Sequence, residues 1–306
     1  MKRFQRAYLE ITNQCNLHCS FCPGTKRQGM FLSGQQFEER IAQVSSLAEQ
    51  VFLHVLGEPL LHPELPLFLR ICQQYQLPVN ICTNGFLLTP ERENILFNPI
   101  VRQVNFSLQA LMECGHPDQA QEVFRKILKF CQRAIEVRPE LYINLRTWDF
   151  SGDFKESRLK DTLMTQLTGV FSPDHPVAAF SKGRKSHRLK GRIYWHSDSL
   201  FQWPGSGGSS ETEQQNPDLS LEFQTLPEGF CHGLTSQFAI LCGGEVVPCC
   251  LDAEGSILLG NINQTPLERI LQSPAATVIQ EAFRQNRVWH PFCQNCSFRK
   301  RFDRPR

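Results

Sequence analysis

From residue 6 to about 200, short segments of alternating polarity take turns with longer segments whose apolar residues recur at helical spacing. The strand-like segments cover 7–12, 51–56, 79–83, 101–108, 141–147 and 192–197. Between them, Ser33 and Gln36 form a capping box ahead of the stripe Phe37, Ile41, Val44 and Leu47. Thr89 followed by Pro90 marks a second helix start, and Val123, Ile127 and Cys131 carry a third apolar stripe. Strands and helices alternating at these lengths leave little choice but a parallel sheet with right-handed helical crossovers. An α/β fold with six strands is therefore expected.

The two faces of those strands differ. One carries Glu10, His54, Asn80, Cys82, Asn84, Asn105, Ser107, Gln109, Asn144 and Arg146; the other carries Leu9, Ile11, Val55, Ile81, Val104, Phe106, Leu108, Ile143 and Leu145. Helices must cover the apolar face, so the polar face looks inward. A closed eight-stranded barrel fills its interior with branched apolar side chains. A polar interior predicts a wider, incomplete barrel around a polar ligand.

Three cysteines, Cys15, Cys19 and Cys22, sit in the run ITNQCNLHCSFCPG, just past the carboxyl end of the first strand. Four thiolates would close a metal site, whereas three leave a coordination position open for chemistry. The neighbours Asn13, Gln14, Asn16, His18 and Ser20 are polar, and Pro23 with Gly24 prevents a helix from running on. The chain has thirteen cysteines, an odd number grouped in short motifs. That usage fits metal ligation in a reducing cytoplasm better than a secreted disulfide framework. A net charge of +2 calls for neither nucleic acid nor an anionic membrane. No run reaches the roughly 18 apolar residues of a membrane span, and the polar, basic residues 1–6 do not read as a signal peptide.

Other strand ends offer binding groups. Gly57 lets a ligand approach the backbone closely, and the Glu58 carboxylate is suited to an ammonium group. Asn84, Ser107 and Gln109 offer amides and a hydroxyl, suited to ribose hydroxyls and a carboxylate. Arg146 faces the same interior, either as a carboxylate clamp or in an internal salt bridge with Glu10 or Glu58. The basic run Lys182, Arg184, Lys185, Arg188, Lys190 and Arg192 reads as a solvated loop away from the site, with docking of an acidic electron donor as a lesser reading. Residues 203–220 (WPGSGGSSETEQQNPDLS) read as a linker, dividing a domain of residues 1–202 from a cysteine-rich tail of 221–306. In the tail, 245–248 reads as a hairpin arm, 258–262 as the next element, and a helix starts near Pro266. Asp252 reads as a turn aspartate, and the closing Arg299, Lys300, Arg301, Arg304 and Arg306 as a frayed polar end.

The C-x3-C-x2-C pattern, with the aromatic Phe21 before its third cysteine, resembles the cluster loop of the radical S-adenosylmethionine superfamily. Leu56-Gly57-Glu58 resembles that family's GGE motif, with leucine in place of the first glycine. Cys231, Gly244 with Cys249, the run LGNI and Cys293-x2-Cys296 resemble the auxiliary-cluster region of SPASM/twitch enzymes, in the shorter twitch form. The resemblance implies a partial (β/α)6 barrel with a small C-terminal auxiliary-cluster domain. It implies a [4Fe-4S] cluster on Cys15, Cys19 and Cys22 whose open iron is chelated by S-adenosylmethionine. Phe21, Gly57, Glu58, Asn84, Ser107, Gln109 and Arg146 are the expected cofactor contacts, with Glu58 at the methionine amino group and Ser107 at the ribose. A second [4Fe-4S] cluster is expected on Cys231, Cys249, Cys293 and Cys296, with Cys242 and Cys250 as alternative ligands and a structural zinc as the competing metal.

The activity so implied begins with one-electron reduction by a donor such as flavodoxin or ferredoxin. Cleavage of S-adenosylmethionine to a 5′-deoxyadenosyl radical follows, then hydrogen abstraction from a substrate and oxidation through the auxiliary cluster. A small-metabolite dehydrogenase is favoured, because no leader-peptide recognition domain precedes the first strand. A peptide-modifying maturase is the alternative, and a non-catalytic zinc-stapled binding protein is the rival from another class.

Overall fold

The computed structural model describes residues 3–112, 116–149, 154–171, 185–204 and 225–303. The chain forms two compact units: residues 1–57, 70–78 and 201–306 make the first, and residues 58–69 and 79–200 the second. Most of the expected linker, and Lys182, Arg184, Arg304 and Arg306, lie outside the described residues.

In the first unit β1 (Arg6–Leu9) lies between two parallel neighbours, β2 (Val51–Phe52) and β8 (Gln237–Ile240). β9 (Glu245–Val247) pairs antiparallel with β8, and β10 (Gly260–Asn261) antiparallel with β9, so the order is β10-β9-β8-β1-β2. The first two strands are shorter than the sequence suggests, because the chain leaves the ladder early to form the site loops. The parallel strand β8 is absent from the expectation: its four residues are too short for periodicity to register. α1 (Gly34–Leu47) opens with the expected capping box, in which the Ser33 hydroxyl accepts from the Gln36 N–H and the Gln36 side chain accepts from the Ser33 N–H. Its buried side chains are Phe37, Arg40, Ile41 and Val44. The Arg40 guanidinium is satisfied by the Leu241 and Cys242 carbonyls at 3.2 and 3.0 Å. In the tail, α7 (Leu267–Ile270) and α8 (Pro274–Arg284) follow β10, and Ser273 caps α8.

The second unit holds β3 (Val79–Thr83), β4 (Val101–Ser107), β5 (Tyr142–Asp149), β6 (Ser186–Lys190) and β7 (Ile193–Ser199), in the order β3-β4-β5-β7-β6. The first four neighbours are parallel, and β6 turns back antiparallel on β7. The basic run is therefore no loop at its described end, because Arg188 and Lys190 are strand residues. Its alternation of charged and apolar side chains (Arg188, Leu189, Lys190) is the period-two signal of an edge strand.

Thr89 caps α3 (Pro90–Leu96) as expected. α5 (Pro117–Val137) buries Val123, Phe124, Ile127, Phe130 and Cys131, and Phe130 meets Phe106 of β4 edge-on with ring centroids 5.4 Å apart. Ile81, Val104, Phe106, Ile143 and Leu145 are fully buried, which confirms the apolar strand face. No helix of the described residues is long and apolar enough to cross a membrane.

Candidate active site

In the first unit the three-cysteine loop leaves β1 and returns at Met30, and polar side chains close its base. The Thr12 hydroxyl donates to the Met30 carbonyl at 2.8 Å. The Asn13 amide donates to the Gln28 carbonyl and accepts from the Met30 N–H, both at 2.8 Å. Within the loop the Cys22 N–H donates to the Cys19 carbonyl at 3.0 Å, and Cys15 and Cys22 are exposed. Trp203 Nε1 donates to the Phe21 carbonyl at 3.0 Å, so the residue before the third cysteine is held through its backbone.

Gly57, at the end of the segment that follows β2, has φ +76°. A Cβ there would fall inside contact distance of the Thr12 carbonyl and 2.9 Å from that of Gln14. What approaches this glycine closely is the backbone of the cysteine loop itself.

Glu10 is fully buried and pairs with Arg27 through two bonds of 2.7 and 2.8 Å. Its carboxylate also accepts the Leu56 N–H at 3.2 Å and the Cys242 N–H at 3.0 Å. Glu10 is thus committed to Arg27; within the second unit no ion pair joins Glu58 and Arg146 among the described residues, and Glu58 is held by backbone donors. Arg27 escaped the sequence reading because a loop arginine five residues past Cys22 carries no periodic signal.

In the second unit Glu58 caps a short 3-10 turn, Pro59–Leu61. One carboxylate oxygen accepts the Leu60 N–H at 3.0 Å and the other the Asn84 N–H at 2.8 Å. Burial pushes its carboxyl up to about 6, against these hydrogen bonds and one from Thr83. Asn84 accepts the Phe86 N–H at 3.0 Å in an Asx turn, and the Ser107 hydroxyl lies 3.5 Å from the Cys82 sulfur. Gln109 is only 5% exposed, and its amide oxygen has no hydrogen-bond partner among the described residues. A buried amide left unsatisfied just past a strand's carboxyl end is able to accept a hydrogen bond from a ligand.

A polar row crosses the inner strand faces. Gln103 and Asn144 both donate to the Asn105 side-chain oxygen, at 2.9 and 2.8 Å, and His196 Nε2 meets the Asn144 oxygen at 2.9 Å. Arg146 is exposed and pairs across the ladder with Ser107 and His196. Burial first, and then the Arg146 charge, lowers the affinity of His196 for a proton. His196 was missed, although extending the alternation of polar inner residues to β7 would have found it.

The tail thiols divide into two sets. Cys249 has Cys231, Cys250 and Cys293 as electrostatic neighbours, and Cys293 has Cys231 and Cys296. Burial raises all four of Cys231, Cys249, Cys293 and Cys296 above the usual thiol range, and for Cys231, Cys249 and Cys293 repulsion between thiolates adds to it. Such a group ionises only with compensating positive charge, which is what a metal centre supplies. Among the described residues, no three or more His, Cys, Asp or Glu side chains converge on one point as a single-ion site does. Cys242 stands apart, since its buried thiol donates to the Glu10 carbonyl at 3.1 Å. Cys250 is packed against the apolar cluster that contains Tyr8, Leu56 and Val247. Asp252 closes its turn as expected, accepting the Ser256 and Ile257 N–H groups at 2.7 Å.

Arg299 is not part of a frayed end. It is 4% exposed, donates to the Cys293 carbonyl at 3.0 Å and to Asp303 at 2.7 Å, and gives its own N–H to the Cys296 sulfur at 3.4 Å. The donor set fits the implied groups: an open three-thiol loop, an orphaned buried amide, and a four-thiol group with a hydrogen bond to sulfur.

Comparison with known proteins agrees. Residues 9–149 match the radical SAM superfamily model, and residues 231–297 match SPASM, an iron-sulfur cluster-binding domain. The PqqA peptide cyclase of Streptomyces rochei is 32% identical over 104 residues, 33% of this chain and 29% of the relative. The S-adenosyl-L-methionine-dependent 2-deoxy-scyllo-inosamine dehydrogenase of Niallia circulans is 32% identical over 99 residues, 30% of this chain and 39% of that protein. Both alignments thus span less than half of the relative. Among solved structures, BtrN in complex with AdoMet and 2-DOIA superposes with a TM-score of 0.53 at 16% identity, covering 94% of this chain and 89% of that one. Streptococcus suis SuiB bound to S-adenosylmethionine gives 0.57 at 16% identity, covering 97% and 72%. With the fold shared and both domain models matched, the chain belongs to the radical SAM superfamily and carries a SPASM-type domain, the pairing that brings [4Fe-4S] clusters together with S-adenosylmethionine.

Proposed function

We propose that this chain is a radical S-adenosylmethionine oxidoreductase that oxidises a hydroxyl group of a small metabolite, such as a sugar alcohol or cyclitol, to a ketone. The observation that carries the reading is the contrast between two thiol sets: three cysteines on an exposed loop, and four drawn together in the tail, Cys296 buried and the other three partly buried. In this reading Cys15, Cys19 and Cys22 hold the cluster that binds S-adenosylmethionine, and Cys231, Cys249, Cys293 and Cys296 hold the second. Bound there, the cofactor supplies reductive cleavage of its sulfonium–carbon bond and a 5′-deoxyadenosyl radical that takes a hydrogen atom from substrate.

The protein's own residues bind and orient. By resemblance to the family's motifs, Glu58 would receive the methionine amino group and Ser107 the ribose with Asn84 nearby; Gln109 offers a further amide, and the fork of Arg146 suits a carboxylate. The polar row through Asn105, Asn144 and His196 supports a hydroxyl-rich substrate, since amides and a neutral imidazole both donate and accept. The N–H bond from Arg299 to Cys296 supports an electron-accepting role for the second cluster, because hydrogen bonds to sulfur tune its potential. In this reading residues 1–202 form the radical domain and 221–306 the auxiliary domain, and flavodoxin or ferredoxin is the electron donor.

A peptide substrate is the second reading, favoured by the similarity to a peptide cyclase. Anaerobic reconstitution with roughly eight irons per chain, two cubanes, and release of 5′-deoxyadenosine on reduction is the expected result. Zinc without iron, or no cleavage, refutes the radical reading. Deuterium transfer into 5′-deoxyadenosine from labelled cyclitols but not from peptides separates the two substrate classes.

A further inference from the structure

Glu10 joins three separate stretches of the first unit at one buried carboxylate. Arg27 comes from the returning limb of the cysteine loop, the Leu56 N–H from the segment after β2, and the Cys242 N–H from the turn between β8 and β9. The Cys242 thiol completes a second bond to the same residue, to its main-chain carbonyl at 3.1 Å. The carboxylate is fully buried, and the Arg27 side chain is only 18% exposed. Burial is the largest effect and opposes the charge on Arg27, but the bond to Glu10 and the charges of Glu10, Glu254 and Cys242 together outweigh it, so the guanidinium holds its proton more tightly than usual. Removing either partner leaves the other charged and uncompensated in the interior, which is far more costly than losing an exposed pair. The neighbouring Lys26 N–H is held by Glu254 at 3.2 Å, a second tie from the tail to the same limb.

We propose that Glu10 is a positioning residue for the radical cluster. Through Arg27 it fixes the limb of the loop that follows Cys22, and through Cys242 it makes that limb's geometry depend on the tail being folded. Glu10 and Arg27 are not ligands of the cluster; they act on it through the loop. The inference rests on the assignment of Cys15, Cys19 and Cys22 to that cluster.

The test uses the full-length reconstituted holoenzyme and the variants Glu10→Gln, Arg27→Lys, Arg27→Met and Glu10→Gln/Arg27→Met. Four readouts apply: iron content, the electron paramagnetic resonance signal of the reduced cluster with S-adenosylmethionine, the cleavage rate, and hydrogen exchange of the amides at 27–30 in the metal-free chain. In Glu10→Gln and Arg27→Met the expected results are a shifted resonance signal, roughly tenfold or more slower cleavage, and faster exchange at 27–30, with iron retained. The double variant should be no worse than either single one, because the two residues act as a unit. Arg27→Lys, which keeps charge but loses the fork, should lie between. A wild-type resonance signal and cleavage rate in Glu10→Gln, or additive losses in the double variant, overturn the proposal. Should Glu10→Gln fail to fold, Arg27→Lys and Arg27→Met, at the less buried partner, decide on the same readouts. Absence of cleavage in the wild-type holoenzyme counts against the cluster assignment instead, so the two failures are distinct.

Discussion

Two glycines near the cysteine loop separate a conformational cost from a contact cost. Gly57 and Gly24 both have left-handed backbones, at φ +76° and +62°. A Cβ at Gly24 meets nothing within 4 Å, whereas at Gly57 it meets the Thr12 and Gln14 carbonyls. Alanine at either position costs about 1–2 kcal/mol for the left-handed conformation. Gly57→Ala adds the cost of forcing backbone apart, about 1–3 kcal/mol as in other overpacked sites. The total is roughly 2–5 kcal/mol, or a fall in melting temperature of about 4–10 °C at about 2 °C per kcal/mol.

Because the carbonyls pushed away belong to the stem of the cysteine loop, Gly57→Ala should also lose iron at Cys15, Cys19 and Cys22 while the tail thiols keep theirs. Calorimetry of the metal-free chain and iron quantification after reconstitution measure the two effects. Equal destabilisation by Gly57→Ala and Gly24→Ala would refute the reasoning, since only one of them has the contact.

Three further outcomes are expected. The carboxyl of Glu58 lies at about 6, raised from 4.5, so its share of stability is complete below pH 4.5 and is lost as pH rises through 6; at 1.36 kcal/mol per unit this amounts to about 2 kcal/mol. Denaturant unfolding of the wild type and Glu58→Gln between pH 4.5 and 7 should show that loss in the difference between the two curves, since the slope from buried histidines such as His290 is common to both. Cys242→Ala should leave the tail's iron unchanged, whereas Cys249→Ala should remove it, by iron analysis and Mössbauer spectroscopy; equal losses would return Cys242 to the ligand set. Arg299→Met removes a buried cation beside Cys293 and Cys296, so the auxiliary cluster's midpoint should move to more negative potential in a redox titration. An unchanged midpoint would show that its charge is not felt there.

Much of this arrangement was legible from local pattern. The Ser33–Gln36 capping box, the Thr89 cap, the α5 stripe and the polar inner face of β3–β5 depend on neighbours a few residues apart, and periodicity reports such neighbours. The three-cysteine loop and the Cys293-x2-Cys296 pair were legible in their spacing, whereas the choice of Cys231 and Cys249 to join that pair came from the family resemblance. What escaped were contacts without a period. Arg27 reaches Glu10 across 17 residues and Arg40 reaches Leu241 across 201, and no local rule pairs them. Arg299 looked like one charge among several in a polar end, yet burial and three hydrogen bonds set it apart.

The place of β8 beside β1 has a consequence for biosynthesis. β1 is among the first segments to leave the ribosome, yet one of its two parallel neighbours begins at Gln237, and the Phe21 carbonyl waits for Trp203. Parallel pairing at such separation must close a very long loop before any contact rewards it, so it forms late and slowly. The cysteine loop therefore emerges early with only its local bonds, and acquires its distant supports only when about two hundred further residues have been made. Iron delivered during translation would meet thiols with no fixed geometry. Loading of this site belongs after synthesis, on a chain whose tail has already folded back.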